Sequence, residues 1–240
     1  YDLILSLLPI SNENIIEIEG KQLNNNVPIK NWYLFGDSIT NKNMRALVNY
    51  AEWTAKDINV LLHNYGVSAQ GYMQGSSKFI SELNNLTNYD VNTDIITVMG
   101  SINDLSHVAN ELGELGDTTS DTLYGAMYVF YTTLFSMYPG CRVGIISPIT
   151  SIGVHNNPTT KQRMNLYVKA LKDTAEYFNI PFLDILNTGN LRPWETDFLN
   201  EYYVQDGEGG TEQVDSTGVH PNSKGHHLFY GRVKEFIKTL

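Results

Sequence analysis

Hydrophobic positions change their spacing several times along the chain. Trp32-Tyr33-Leu34-Phe35 is a continuous apolar run ending at Gly36, as in a strand buried on both faces. Met44, Leu47, Val48, Ala51 and Ala55 then recur at helical spacing. Ile58 to Leu62 reads as a second buried strand, and Asp94 to Met99 as a third. Leu123, Met127, Phe130, Leu134 and Tyr138 form a helical stripe that Pro139-Gly140 stops. Val143 to Ile146 is a fourth strand. Met164, Tyr167, Leu171, Ala175 and Phe178 predict another helix, and Pro181 to Ile185 a fifth strand. Phe229, Val233, Phe236 and Leu240 close the chain as a helix opened by Pro221-Asn222-Ser223. Apolar strands alternating with helices predict an α/β fold, a three-layer doubly wound parallel sheet of about five strands.

Residues 1–30 break this pattern. Short apolar pieces are separated by Ser11-Asn12-Glu13-Asn14, Glu19-Gly20 and Asn24-Asn25-Asn26. Two or three short strands fit, around 3–8, 14–19 and 27–30. The expectation is an N-terminal extension or linker over 1–30 and one domain over 31–240. The start at Tyr1 rather than Met is read as that of a processed form or a piece of a larger polypeptide. Residues 186–219 have weak periodicity, and loops of that length are usually functional or disordered.

Composition narrows the function. The 240 residues carry 16 basic and 26 acidic side chains, a net charge of −10. That balance argues against a nucleic-acid binder, which needs a basic face, and against docking on anionic membranes. No apolar run approaches the length of a membrane span. The single cysteine, Cys141, excludes an intrachain disulfide and a four-cysteine metal site. Neither Gly-x-Gly-x-x-Gly, nor a P-loop, nor His-Glu-x-x-His occurs, so no cofactor or metal is called for. The compartment stays open between secreted, cell-surface, virion-associated and cytoplasmic.

In a parallel sheet, sites form at the carboxyl ends of the strands. After the first strand comes Gly36-Asp37-Ser38-Ile39-Thr40, a serine heading a helix. After the second comes Asn64-Tyr65-Gly66-Val67-Ser68-Ala69-Gln70-Gly71, where small residues let backbone N–H groups approach a ligand. After the third comes Gly100-Ser101-Ile102-Asn103-Asp104, whose asparagine can donate N–H to an oxyanion. Before the last helix comes Asp215-Ser216-Thr217-Gly218-Val219-His220-Pro221, with a histidine able to deprotonate a serine. Alone, each is an ordinary turn, cap or structural histidine. Together, at strand ends and a helix start, they are the parts of an acyl-transfer site. The Gly-x-Ser-x-Gly elbow of α/β-hydrolases is absent.

These segments resemble the SGNH hydrolases, also called GDSL-like lipases and esterases, over about residues 31–240. Phe35-Gly36-Asp37-Ser38-Ile39-Thr40 matches the family's first block, so the resemblance implies Ser38 as nucleophile. Asn64 to Ala69 matches the second, with Ala69 where the family has its oxyanion glycine and Gly71 as the alternative donor. Asn103-Asp104 matches the third, although Ser101 replaces a glycine, and Asn103 is implied as the third oxyanion donor beside the N–H of Ser38. His220-Pro221 matches the last block and makes His220 the base. The family's acid stands three residues before the histidine, where this chain has Thr217; Asp215 lies two residues earlier still. Either the chain bulges around Gly218 and brings Asp215 to the ring, or a backbone carbonyl orients a Ser–His dyad. The reading adopted is Asp215.

The resemblance further implies a flavodoxin-like fold and a serine esterase for short acyl esters, acetyl foremost, carried on a carbohydrate. Its substrate is then a small-molecule or glycan ester, with neither nucleic acid nor membrane as partner. Asp37, His107 and Trp194 are candidates for substrate contact. For Asp37 the plainer role is hydrogen-bonding its turn, and for His107 a cap or a place on a loop surface. For Trp194 it is pinning the 186–219 segment, which would otherwise help line the cleft. The alternative function is a catalytically degenerate glycan-binding module of a surface or phage-tail assembly.

Overall fold

The computed structural model describes residues 29–42, 44–76, 78–86, 93–209 and 212–240. The extension expected over 1–30 lies outside them, except for its last two residues. The strands are β1 (Asn31–Gly36), β2 (Leu61–Gly66), β3 (Ile95–Met99), β4 (Arg142–Ile146) and β5 (Phe182–Leu183). The helices are α1 (Ser38–Asn41), α2 (Tyr50–Ile58), α3 (Phe79–Asn85), α4 (Leu123–Met137), α5 (Ile152–Asn156), α6 (Pro158–Tyr177), α7 (Ile185–Thr188), α8 (Thr196–Tyr202) and α9 (Ser223–Thr239).

The five strands pair in parallel in the order β2-β1-β3-β4-β5. This is a doubly wound α/β sheet whose strand order reverses between β1 and β3, and that crevice is where such folds place ligands. Tyr33, Phe35, Ile96, Val98, Val143 and Ile145 pack with Phe79, Phe130 and Leu171 on one face. Their neighbours Trp32, Leu34, Ile95, Met99 and Ile146 pack with Tyr50, Phe198 and Phe229 on the other. Alternate residues of a strand point to opposite faces, so covering both faces makes the whole run apolar. Thr97 is the polar exception in β3, and its hydroxyl accepts the indole N–H of Trp32 at 2.8 Å.

The fold departs from the sequence expectation at several boundaries. Asn49 caps α2 by accepting from the N–H groups of Ala51 and Glu52, while the Glu52 side chain returns to the Asn49 N–H. This capping box starts the helix at Tyr50. Met44 and Leu47, expected on its buried stripe, therefore stand outside it, 61% and 53% exposed. The same helix runs on to Ile58 and ends at Asn59 in the left-handed region, so β2 begins at Leu61 rather than Ile58. As an edge strand β2 is only part-buried, which tolerates His63 and Asn64 in place of a continuous apolar run. The 186–219 segment is not one loop. It takes in most of α7, all of α8, and an antiparallel bridge between Val204 and Val214.

Among the buried polar groups, His226 makes stability depend on pH. It is 1% exposed on α9, with its ring stacked on Tyr50 at 5.9 Å. Its Nδ1 has no hydrogen-bond partner among the described residues. Burial pushes the imidazole down from 6.5 to about 3. The unfolded chain accepts a proton below about pH 6.5 that the native state refuses. Stability is therefore full above that pH and falls as pH drops towards 3, by up to about 1.4 kcal/mol per unit. His226→Phe keeps an aromatic ring and removes this slope. Urea unfolding at pH 7 and pH 4.5 should show the wild type losing about 2 kcal/mol more than the variant. Equal losses would mean that His226 does not titrate in this way.

Candidate active site

At the end of β1 the chain turns through Asp37 into α1, and the Asp37 carboxylate accepts the Ile39 N–H at 2.9 Å. The turn sets Ser38 at the tip of the strand, 8% exposed. Ser38 Oγ lies 2.9 Å from His220 Nε2. On the other side of the ring, His220 Nδ1 lies 2.7 Å from Asp215 Oδ2, which also accepts the backbone N–H of His220 at 2.9 Å. With the Nδ1 proton donated to the carboxylate, the Nε2 lone pair faces the serine hydroxyl.

The five-residue spacing works because the chain between acid and base folds into a turn. Gly218 N–H donates to the Asp215 carbonyl at 2.9 Å. Gly218 has φ +60, and a Cβ there would lie 2.5 Å from Pro193 Cβ, so both conformation and space require glycine. Thr217 acts as a donor to the acid. Its N–H reaches Asp215 Oδ1 at 3.0 Å, and its hydroxyl donates to the same oxygen. Burial alone would raise the Asp215 carboxyl. The hydrogen bonds from His220 and Thr217 outweigh it and hold the group well below the usual carboxylate range. Asp215 is therefore an anion at neutral pH, aligned with the imidazole. Arg45 also reaches this edge: its guanidinium touches His220 Nδ1 and lies 3.9 Å from Asp215 Oδ2. No sequence pattern marked Arg45, because it stands in the irregular stretch before α2.

Two of the expected oxyanion donors are uncommitted. The N–H groups of Ser38 and Ala69 have no acceptor among the described residues. Ala69 sits at φ +63, where the family has glycine. A left-handed alanine costs about 1–2 kcal/mol, strain of the kind that collects at functional sites. Asn103 is already engaged. Its amide donates to the Gln70 carbonyl at 3.1 Å and to Ser101 Oγ at 2.9 Å. Ser101 Oγ in turn donates to Asp37 Oδ2 at 2.8 Å. The serine that replaces a family glycine thus ties the third block to the first, a role its sequence position did not announce.

Three expectations need correction. Gly71 is not a spare oxyanion donor, because its N–H donates to the Gln74 carbonyl at 3.0 Å. It is glycine because a Cβ would lie 2.3 Å from the Asp104 carboxylate. That buried carboxylate accepts the N–H groups of Tyr72, Met73 and Gln74 at 2.8–3.0 Å and the Tyr167 hydroxyl at 3.1 Å. Burial pushes the Asp104 carboxyl up and these donors pull it down, with burial ahead. His107 has both ring nitrogens engaged, with Gln74 at 2.9 Å and with Glu111, so the structure gives it a bracing role rather than a free nitrogen for a substrate. Asp37 is 1% exposed with both oxygens bonded, so it braces the turn that carries Ser38 and offers no free oxygen to a substrate. Trp194, whose expected substrate contact is not among these corrections, stacks on His155 at 3.8 Å and lines a cleft whose lining does not include Ser38, His220 or Asp215. No group of three or more metal-ligating side chains occurs among the described residues.

A family model described as the GDSL-like Lipase/Acylhydrolase family matches residues 34–228. Among solved structures, a protein from Lactobacillus plantarum aligns with 89% of this chain and 98% of its own, at 23% identity and a TM-score of 0.71. The lipase/acylhydrolase from Enterococcus faecalis aligns with 88% of this chain and 96% of its own, at 17% identity and a TM-score of 0.57. The inhibitor-bound aryl esterase of M. smegmatis aligns with 88% and 99%, at 15% identity and a TM-score of 0.58. No curated protein sequence gives a match. At these identities the solved structures speak for the fold alone. The family model spans most of the sheet and every segment that carries Ser38, Ala69, Asn103 and His220, and on that ground the chain belongs to the GDSL-like lipase/acylhydrolase family.

Proposed function

We propose that the protein is a serine esterase that removes short acyl groups, acetyl foremost, from carbohydrate esters. The observation that carries this reading is the unbroken line from Ser38 Oγ through His220, at 2.9 Å, to Asp215, at 2.7 Å. His220 takes the Ser38 proton as the hydroxyl oxygen attacks the ester carbonyl. The imidazolium formed is stabilised by the Asp215 carboxylate. The tetrahedral oxyanion is met by the N–H groups of Ser38 and Ala69. Asn103 joins them by turning one amide hydrogen from Ser101 to the substrate. Such donors are typically worth about 3–4 kcal/mol each. His220 then protonates the departing alcohol, and water repeats the attack on the acyl-enzyme. The alternative of a glycan-binding module without turnover drew on the displaced acid and the glycine replacements; the 2.7 Å contact of Asp215 with His220 favours the esterase over it.

A small pit lined by Asp37 and Ile39, the chain neighbours of Ser38, supports the acetyl reading. Ile39, Met99, Ile102, Pro148, Ile149 and Val219 wall a space of about 10 Å³ next to Asp37. That is room for one water-sized group, so it suits a methyl and not a chain. Each methylene that a pocket cannot accept costs about 1–3 kcal/mol. Assay on p-nitrophenyl esters should therefore give a kcat/KM for acetate at least about tenfold above butyrate, with octanoate lower still. Ser38→Ala should abolish hydrolysis and labelling by a fluorophosphonate. Its melting temperature should move by less than about 4 °C, since one hydrogen bond of about 1 kcal/mol is lost. Retained turnover in Ser38→Ala would end the nucleophile assignment, and equal rates on all three esters would end the acetyl assignment.

A further inference from the structure

A second depression of about 240 Å³ shares one lining residue, Thr150, with the small pit next to Asp37. Its volume is below the roughly 300–1,000 Å³ of sites for drug-sized ligands, so it suits one ring rather than an extended molecule. Trp194 and His155 both line it as a face-to-face pair, 3.8 Å apart with 9° between their planes, so a flat outer ring face is what such a pair can offer a ligand. The rest of the lining includes three amide side chains, Asn165, Asn187 and Asn190, and one charge, Lys161. The amides are left with complementary capacity. Asn187 spends its N–H₂ on Asp184 at 2.8 Å and keeps its oxygen, whereas Asn190 spends its oxygen on Arg192 at 2.8 Å and keeps its N–H₂. Asn165 is exposed on α6 with no partner among the described residues.

A flat ring face beside paired donors and acceptors matches the chemistry of a pyranose, which has C–H groups on its faces and hydroxyls around its edge. An uncharged sugar also fits a chain of net charge −10, which repels polyanions. The cleft wall is fastened to the loop that carries His220. Ile152 N–H donates to the Thr217 carbonyl at 3.2 Å, and Pro193, next to Trp194, packs against Gly218. We infer that this cleft is a subsite for one uncharged pyranose ring of the substrate's alcohol part, held against the Trp194–His155 pair while the acetyl group occupies the pit next to Asp37. The inference rests on the esterase reading above and names the part of the site that reads the alcohol.

The test compares p-nitrophenyl acetate with two O-acetylated trisaccharides, one of xylose and one of N-acetylglucosamine. In Trp194→Ala, the ratio of kcat/KM for at least one trisaccharide to that for p-nitrophenyl acetate should fall at least tenfold, through KM. In Asn165→Ala, an exposed position whose loss spares the fold, the same ratio should fall at least threefold. Unchanged ratios for both trisaccharides in both variants, or a loss confined to kcat, would overturn the subsite. A wild type inactive on p-nitrophenyl acetate would instead overturn the esterase reading. A further readout needs no turnover. In Ser38→Ala, the indole N–H resonance of Trp194 should shift on adding the deacetylated trisaccharide, and a resonance that stays in place with both sugars would also overturn the subsite.

Discussion

The parallel pairing of β1 with β3 is the constraint from which the site follows. Trp32↔Ile95 through Phe35↔Val98 sets the two strands side by side, with no other strand between them. Their carboxyl ends therefore stand together where the sheet reverses its winding. One end delivers Ser38, the other Ser101 and Asn103. Apolar burial on both faces holds this register, because a slip of one residue would turn Tyr33 and Phe35 towards the wrong layer. The site's geometry thus depends on a core in which almost no side chain takes part in chemistry.

Two buried carboxylates turn that pairing into a fixed arrangement. Asp37 binds the Ser38 turn to Ser101, and Asp104 holds three successive N–H groups of the loop that follows β2. Tyr167 joins the two systems from α6. Its hydroxyl accepts the Ser101 N–H at 2.9 Å and donates to Asp104 at 3.1 Å. Burial raises both carboxyl groups, so each is retained against a desolvation cost that its hydrogen bonds partly offset. Both serve to keep three loops in register, and neither oxygen pair is left over for a substrate.

Much of this was legible in the sequence. Continuous apolar runs gave the central strands β1, β3 and β4, because only strands covered on both faces are apolar throughout. The strand ends pointed to Ser38 and Asn103 and a helix start to His220, whereas Ala69 was singled out by the resemblance. Features made by local hydrogen bonding were harder to see. The capping box of Asn49 and Glu52 overrode the stripe from Met44, and the edge strand β2 lacks the apolar run of a buried one. His107 stood close to Asn103 in sequence, but its pairing with Gln74 depends on how the loop after β2 folds back. Arg45 and the bridging hydroxyl of Ser101 carry no pattern at all, since their roles arise from contacts across the sheet.

The least orthodox feature is the acid. In place of the family's spacing, a turn closed by Gly218 carries Asp215 to His220, and Thr217 donates to the acid from the position the family gives to aspartate. The cost is a tight turn that glycine accommodates, and the gain is an ionised carboxylate on the imidazole. The most direct test is kcat on p-nitrophenyl acetate for Asp215→Asn beside Thr217→Ala. If Asp215 stabilises the imidazolium, Asp215→Asn should lose between about 10² and 10⁴ in kcat, the upper figure being that of the best-studied triad. Thr217→Ala, which keeps its backbone donor, should lose less than about tenfold, in line with a single hydrogen bond of about 1 kcal/mol. A near-wild-type Asp215→Asn would contradict the account and leave a Ser–His dyad in its place.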